Sequence, residues 1–101
     1  MTLTVCYAPV VRHDINECAE DLESQDIAEA DRFLESIRQT TEVLCADPGL
    51  GGRFRSDQTE TIRCYALLDF ADYLLFYRQE DSALQILRIL QGSWECEQFF
   101  D

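Results

Sequence analysis

The sequence contains no lysine and one histidine, and its eight arginines face 20 aspartate and glutamate residues. The formal net charge is therefore -12 over 101 residues. Duplex DNA carries about one negative charge per 1.7 Å of helix axis, so a chain with this balance is repelled by it. The composition thus argues against direct, non-specific binding to nucleic acid.

Long hydrophobic runs and paired cysteines are also lacking. The longest apolar stretches, residues 64–68 and 73–77, are far shorter than the roughly 20 residues that cross a bilayer. No basic start followed by an apolar segment marks a secretory signal. The five cysteines are odd in number and never form a C-x-x-C pair, which disfavours disulfides and a zinc site. We expect a cytoplasmic protein with reduced cysteines and no membrane partner.

The residues present give little support for a catalytic nucleophile, a metal site or a cofactor. His13 is the only imidazole and lies between Arg12 and Asp14, at a predicted helix start. A nucleophile needs a base held against it, and no such pair is indicated. We expect His13 to be a solvated surface residue, and we expect no metal and no cofactor.

The chain begins with the pattern of a strand followed by a helix. Leu3, Val5 and Tyr7 alternate with less apolar residues, which is typical of a strand with one buried face. Pro9 ends the strand and suits the first turn of a helix, where its missing N–H is not needed. Beyond it, apolar residues recur every three or four positions, which predicts an amphipathic first helix.

A second helix is predicted from Asp26 onwards. Asp26 and Glu29 have the spacing of a capping box, in which each side chain accepts from a backbone N–H. The Asp-Pro-Gly sequence at residues 47–49 ends this helix. Because the link around Gln25 is short, we expect the two helices to pack as an antiparallel hairpin.

The second half of the chain has the pattern of a sheet. Residues 48–59 hold three of the four glycines and are predicted to form a loop. Alternation over 60–67, a nearly continuous apolar run over 73–78 and alternation over 83–90 predict three strands. The polar residues 79–82 join the last two strands as a hairpin.

The tail offers Ser93 as a helix cap and Trp94 as an apolar anchor, which predicts a short C-terminal helix. We therefore predict a single α+β domain over residues 1–101. Its order is β-α-α-β-β-β, with the helical hairpin packed on one face of a curled, mainly antiparallel sheet.

Three arginines on the predicted strands leave two interpretations open. Arg63, Arg78 and Arg88 each belong to a different strand and could converge into a cationic patch that binds phosphate or carboxylate. Alternatively, each guanidinium pairs with a neighbouring acid and stabilises the sheet. The nearby Tyr77 is correspondingly either a general acid or base, or a core aromatic residue.

Several short motifs resemble one known family. Residues 73–78 (YLLFYR) and 85–92 (QILRILQG) resemble the patterns Y-L-I-F-Y-R and I-L-R-V-L-H-G of ParE-like toxins. Residues 32–34 (RFL) and 48–51 (PGLG) resemble the family's R-F-L and P-x-L-G, and residues 7–9 (YAP) resemble its entry to the first helix. The matches keep the family's order along the chain, so the sequence resembles the ParE-like branch of the RelE/ParE superfamily.

This resemblance implies the toxin of a type II toxin–antitoxin system, of the kind linked to plasmid stabilisation, which is neutralised by a cognate antitoxin. ParE-type members inhibit DNA gyrase by protein–protein binding, whereas RelE-type members cleave mRNA on the ribosome. The catalytic arginine of the RelE type falls on Leu74 here, and another falls on Trp94. Loss of such groups typically costs about 100-fold or more in rate, which disfavours an enzyme. An endoribonuclease and a non-toxic binding protein derived from the fold remain alternatives.

The resemblance also implies functional residues. The candidates for target binding are Arg63, Tyr77, Arg78, Arg88 and Trp94. The candidates for anchoring the antitoxin are apolar residues of the sheet, of which some are expected to be exposed: Leu67, Leu68, Phe70 and Trp94. Because this chain is acidic, it would repel an ordinary acidic antitoxin. Either its antitoxin is basic, or docking is mostly hydrophobic, or the chain has lost its toxicity; whether it forms a homo-oligomer or a hetero-oligomer is left open.

Overall fold

The computed structural model describes residues 3–56 and 61–92, and these residues form two helices and five strands. In chain order they are β1 Thr4–Tyr7, α1 Pro9–Glu23, α2 Ile27–Ala46, β2 Gly52–Ser56, β3 Thr61–Leu67, β4 Phe70–Glu80 and β5 Ala83–Gln91. The two helices contact each other, and α1 also packs on β5. The predicted α+β class and helical hairpin are confirmed.

The five strands form one sheet in the spatial order β1-β5-β4-β3-β2. β1 pairs with β5 in parallel, and all other neighbours are antiparallel, as the prediction of a mainly antiparallel sheet required. The ladders of β2 with β3, β3 with β4 and β4 with β5 each contain a register irregularity. Irregularities of this kind bend a strand and increase its twist.

The strand β2 is absent from the predicted order, because its residues fall in the stretch that we predicted to be a loop. Gly52 pairs with Cys64 and Arg53 with Arg63, so the loop prediction is wrong over this segment. The glycines and arginines here give no alternating pattern. The strand forms because β3 offers a backbone to pair with, and such tertiary pairing overrides local propensity.

The two hairpins after β3 turn on aspartates with left-handed backbones. Asp69 lies between β3 and β4 with φ 67°, and Asp81 lies between β4 and β5 with φ 55°. Aspartate tolerates this conformation better than most residues. The turn between β4 and β5 is shorter than the predicted residues 79–82, because residues 79 and 80 belong to β4. The predicted C-terminal helix with Trp94 lies outside the described residues.

The start of α2 confirms half of the predicted capping box. The Asp26 carboxylate accepts a hydrogen bond from the Ala28 N–H at 3.0 Å. Glu29 does not complete the box, because the Asp26 N–H donates to the Leu22 carbonyl at 2.9 Å and the Glu29 carboxylate contacts Arg32. Neither described helix combines the length and apolarity needed to cross a membrane.

The core occupies both faces of the sheet. Alternate residues of β4 point towards the helices, and the residues between them are buried on the opposite face. This explains why β4 reads as a continuous apolar run. The buried core residues between the helices and the sheet are Val11, Phe33, Ile37, Leu44, Cys45, Leu67, Tyr73, Leu75, Tyr77, Leu84, Ile86 and Ile89. Those on the opposite face are Ile62, Cys64, Leu74 and Phe76.

Candidate functional site

Arg88 joins β5 to the first helix through a buried carboxylate. Its Nε and Nη2 donate to the two oxygens of Asp14 at 2.8 and 2.9 Å, and the Ile89 N–H donates to the same carboxylate at 3.2 Å. The Asp14 side chain is only 2% exposed. The side-chain hydrogen bonding between Arg88 and Asp14 is the main reason that the pKa of Arg88 is raised above its ordinary value. The fork of this candidate arginine is thus engaged in packing α1 on the sheet.

Tyr77 lies at the centre of a second network. Its hydroxyl donates to the Pro48 carbonyl at 2.7 Å and accepts from the Gly51 N–H at 2.9 Å. Arg63 Nη1 donates to the Gly51 carbonyl at 2.8 Å. The Tyr77 side chain is fully buried, and burial is the largest cause of its raised pKa. The network therefore ties the segment after α2 to β4 and leaves the hydroxyl inaccessible as an acid or base.

A glycine is required in this network because the tyrosine approaches its backbone closely. A Cβ atom added at Gly51 would lie 2.5 Å from the Tyr77 hydroxyl oxygen. The contact between Gly51 and Tyr77 thus joins two of the motifs, residues 48–51 and residues 73–78. It explains why the first motif has glycine and the second has tyrosine at these positions.

The structure does not gather the three candidate arginines into one patch. Arg63 pairs directly with Tyr77 in the ladder, so it lies on the helix-covered face. Arg78 follows Tyr77 and points to the opposite face, where its guanidinium contacts the Glu80 carboxylate at 3.3 Å. Arg88 contacts the first helix. For Arg78 and Arg88, the contacts with acids agree with the interpretation in which these side chains stabilise the fold.

The predicted antitoxin anchors have different degrees of exposure. Leu67 is 2% exposed and belongs to the core between the helices and the sheet, so it is not one of the exposed candidates. Alternation along β3 puts Leu67 on the same face as Tyr65, and that face is the one the helices cover. Leu68 and Phe70 are partly exposed beside the β3–β4 turn. Trp94 lies outside the described residues.

An open groove lies between α2 and the β3–β4 turn, and we call it the α2–turn groove. Its volume is about 340 Å³. The lining residues are Glu29, Arg32, Glu35, Ser36, Gln39, Asp69 and Phe70. It combines carboxylates, one guanidinium and an aromatic ring, so it suits a polar side chain with a flat apolar surface.

Aromatic packing forms the floor of this groove. The Phe70 ring packs edge-on against Phe33 with centroids 5.7 Å apart, and against Tyr73 at 6.2 Å. Phe33 and Tyr73 are themselves 5.0 Å apart. Such aromatic pairs hold their rings in defined orientations. One partly exposed ring is therefore presented on a rigid base.

Several exposed apolar side chains lie outside the predicted sites. They are Tyr7, Val10, Ile27, Leu34 and Leu50. A smaller hollow of about 180 Å³ lies beside Tyr7, lined also by Arg12, Ile15 and Asn16. Sequence reasoning missed these residues because periodicity assigned apolar side chains to the core. Leu34 could have been recognised, since it lies beside Phe33 but off the most regular apolar stripe of α2.

Among residues 3–56 and 61–92, no three His, Cys, Asp or Glu side chains are placed to hold a metal ion. The two arginine networks hold the fold together, and the α2–turn groove is open to solvent.

A helical hairpin on one face of an open five-stranded sheet, with a parallel first strand at one edge, defines the RelE/ParE class of small α+β proteins. A sequence model described as the ParE toxin of the type II toxin–antitoxin system parDE matches residues 5–94. The chain belongs to this ParE toxin family.

Among solved structures, the chain is similar to one described as the chromosomal ParDE TA system from P. aeruginosa. The TM-score is 0.72 at 17% sequence identity, with 91% of this chain and 98% of that chain covered. At this identity the likeness supports the fold alone. No curated protein sequence matches.

Proposed function

We propose that this chain is a cytoplasmic, single-domain toxin that acts by protein–protein binding on a gyrase-type target and is neutralised by a cognate antitoxin. Membership of the ParE family supports the toxin role. The target, the non-enzymatic action and the link to plasmid stabilisation are part of the proposal.

One observation carries the non-enzymatic part: the groups best suited to phosphoryl chemistry are engaged inside the fold. The Arg88 guanidinium holds Asp14, and the Tyr77 hydroxyl both donates and accepts a backbone hydrogen bond. Leu74, which occupies the position of the RelE-type catalytic arginine, is buried and apolar. A ribonuclease needs such groups free to stabilise charge and move protons.

The antitoxin is proposed to cover the helical hairpin and the edge of the sheet, with Leu68 and Phe70 among its contacts. Both side chains are partly exposed, and Phe70 lines the α2–turn groove. Buried aromatic anchors in a pocket commonly dominate binding energy. Leu67 is no longer included, because it is buried in the core.

The proposal is tested by inducing the chain in a bacterial host and by assaying the purified protein with DNA gyrase. We expect growth arrest, inhibition of supercoiling in vitro and intact transcripts. The product of a small gene adjacent to that of this chain, where one is found, should relieve the growth arrest and the inhibition. Arg78→Glu should weaken inhibition, whereas Arg53→Glu, an equal charge change on the edge strand β2, should not.

Other outcomes would distinguish the alternatives. Cleaved mRNA on induction, with normal gyrase activity, would instead identify a ribonuclease. Normal growth at high expression would favour a binding protein without toxicity.

A further inference from the structure

We propose that the α2–turn groove binds an arginine side chain supplied by the protein partner. The inference rests on the proposed function, since that partner is taken to be the antitoxin, and it assigns the antitoxin a basic contact at this place.

The charges that line the groove favour a cation. Glu29, Glu35 and Asp69 contribute three carboxylates, and Arg32 contributes one guanidinium. Arg32 contacts Glu29, so one wall of the groove already holds a guanidinium on a carboxylate. Glu29 and Glu35 each already contact an arginine of α2, and Asp69 makes no ion pair within the described residues. An anionic or apolar occupant would therefore face at least one uncompensated carboxylate, which makes both poor fits.

Two of these carboxylates are in exposed pairs along α2. Arg38 contacts Glu35, and both side chains are at least half exposed. Intrahelical pairs of this kind contribute little to stability and exchange readily for a better partner. The Glu35 carboxylate can therefore turn towards an incoming guanidinium at small cost.

Asp69 is the best-placed of the three acids. It makes no ion pair with any residue in the described ranges. Its position is fixed, because the preceding Leu68 is held to α2 by both backbone groups: its N–H donates to Thr40 Oγ1 at 3.0 Å, and its carbonyl accepts from Ser36 Oγ. A carboxylate on a rigid turn loses little freedom when it binds.

The aromatic floor selects the type of cation. The partly exposed Phe70 ring is held edge-on by Phe33 and Tyr73, which fixes the direction of its face. A guanidinium is planar, stacks on an aromatic face and donates two parallel hydrogen bonds to a carboxylate. An ammonium group cannot do both in one geometry. The combination of Phe70 and Asp69 therefore fits arginine better than lysine.

The overall charge of the chain supports the same occupant. A net charge of -12 attracts a basic segment from a distance and repels an acidic one. The α2–turn groove then provides a defined local contact for one arginine side chain of that basic segment.

The first test uses the full chain labelled with ¹⁵N and titrated with arginine amide, with citrulline amide as a control of similar shape whose side chain is uncharged. We expect arginine amide to shift the signals of Asp69, Phe70 and the Gln39 side-chain amide, and citrulline amide to leave them nearly unchanged. Asp69→Asn should weaken arginine binding about tenfold, the loss expected for one charge-assisted contact.

Asp81→Asn is the matched control. Asp81 is also a turn aspartate with a positive φ, and asparagine is tolerated at both positions, so each variant removes one charge without straining the backbone. Asp81→Asn should leave arginine binding as in the unmodified chain. Equal shifts with citrulline amide, or equal losses in the two variants, would overturn the proposal.

A second test uses the complex with the product of the adjacent small gene. Asp69→Asn should lower its affinity about tenfold and Asp81→Asn should not, with the difference shrinking as salt rises. If the partner binds both variants equally, the groove proposal is wrong while the antitoxin proposal stands. If no partner copurifies, the antitoxin proposal fails, and the arginine amide titration alone decides the groove.

Discussion

At the scale of single residues, Arg88 and Asp14 illustrate how a family motif can serve the fold. Asp14 is 74 positions from Arg88. Its buried carboxylate accepts hydrogen bonds from two guanidinium nitrogens of Arg88 and from one backbone N–H. Removing one partner of a buried ion pair is costly, since the remaining charge loses its compensation. The pair therefore holds α1 on the sheet.

We predict that Asp14→Asn lowers the free energy of unfolding by about 2–3 kcal/mol, because the substitution removes the charge that compensates Arg88 in a largely buried site. Urea denaturation measures this change. Glu80→Gln, which removes the exposed partner of Arg78, should change stability by less than about 1 kcal/mol. Equal effects of the two substitutions would show that the Asp14 pair is not special.

Cys18 gives a prediction for alkaline pH. Burial, and then the carboxylates of Asp14, Asp21 and Glu17, raise the pKa of this thiol from 9.0 to about 11. The unfolded chain therefore loses this proton first. The stabilising contribution is complete below pH 9 and is lost as the pH rises towards 11.

We expect Cys18→Ala to lose less stability than the unmodified chain between pH 8 and pH 10.5. The difference should be about 1 kcal/mol, because solvent screens this half-buried group. Tyr73, Tyr77 and Cys45 also have raised pKa values and act in the same direction, so only the comparison between the two chains isolates Cys18. If the free energies of unfolding of the two chains fall in parallel as the pH rises, the raised pKa of Cys18 is contradicted.

At the scale of elements, α2 is fastened to the β3–β4 turn by side-chain hydroxyls. Thr40 Oγ1 accepts from the Leu68 N–H at 3.0 Å and donates to the Ser36 carbonyl at 2.7 Å. Ser36 Oγ donates to the Leu68 carbonyl. Thr40 and Ser36 are buried polar residues whose hydrogen-bonding groups are satisfied by this connection.

We predict that Thr40→Val lowers the free energy of unfolding by about 1–2 kcal/mol, since the partly buried Leu68 N–H loses its acceptor while the side-chain shape is kept. Thr41→Val provides a matched control, because among the described residues the Thr41 hydroxyl bonds only to the Arg38 carbonyl of its own helix. Thermal or urea unfolding should show the larger loss for Thr40→Val. The reverse order would show that the connection to the turn contributes little.

Local sequence signals predicted where the helices begin, but they did not predict the pairing of β2 or the burial of Leu67. Pro9 at the first helical position and Asp26 as the cap of α2 were readable because each acts on backbone groups within three residues. β2 was not readable, since Gly52 and Arg53 join the sheet only through pairing with β3. The burial of Leu67 was not readable either, because the alternation of β3 separates its two faces without saying which of them the helices cover.

At the scale of the whole molecule, the net charge of -12 sets how the chain meets other molecules. Arg32, Arg38, Arg78 and Arg88 each contact an intramolecular carboxylate, so these four of the eight arginines are already neutralised within the fold. Self-repulsion at this charge opposes the compact state.

We therefore predict that the melting temperature of the chain rises as monovalent salt increases from about 10 to 300 mM, because the Debye length falls from roughly 30 Å to below 8 Å. Differential scanning calorimetry at constant pH measures the trend. A potassium chloride series and a sodium chloride series should agree if screening is the cause. A falling melting temperature would mean that salt mainly weakens favourable ion pairs.

By itself the sequence determined the order of the helices and of the strands other than β2, the acidic character and the family motifs, because periodicity, caps and composition act locally or add up over the chain. Only the tertiary structure decided that Arg88 holds Asp14, that Tyr77 is enclosed by the segment after α2, and that Asp69 and Phe70 share a groove. Those outcomes depend on which distant residues become neighbours when both faces of the sheet are packed, and residue spacing along the chain carries no record of that choice.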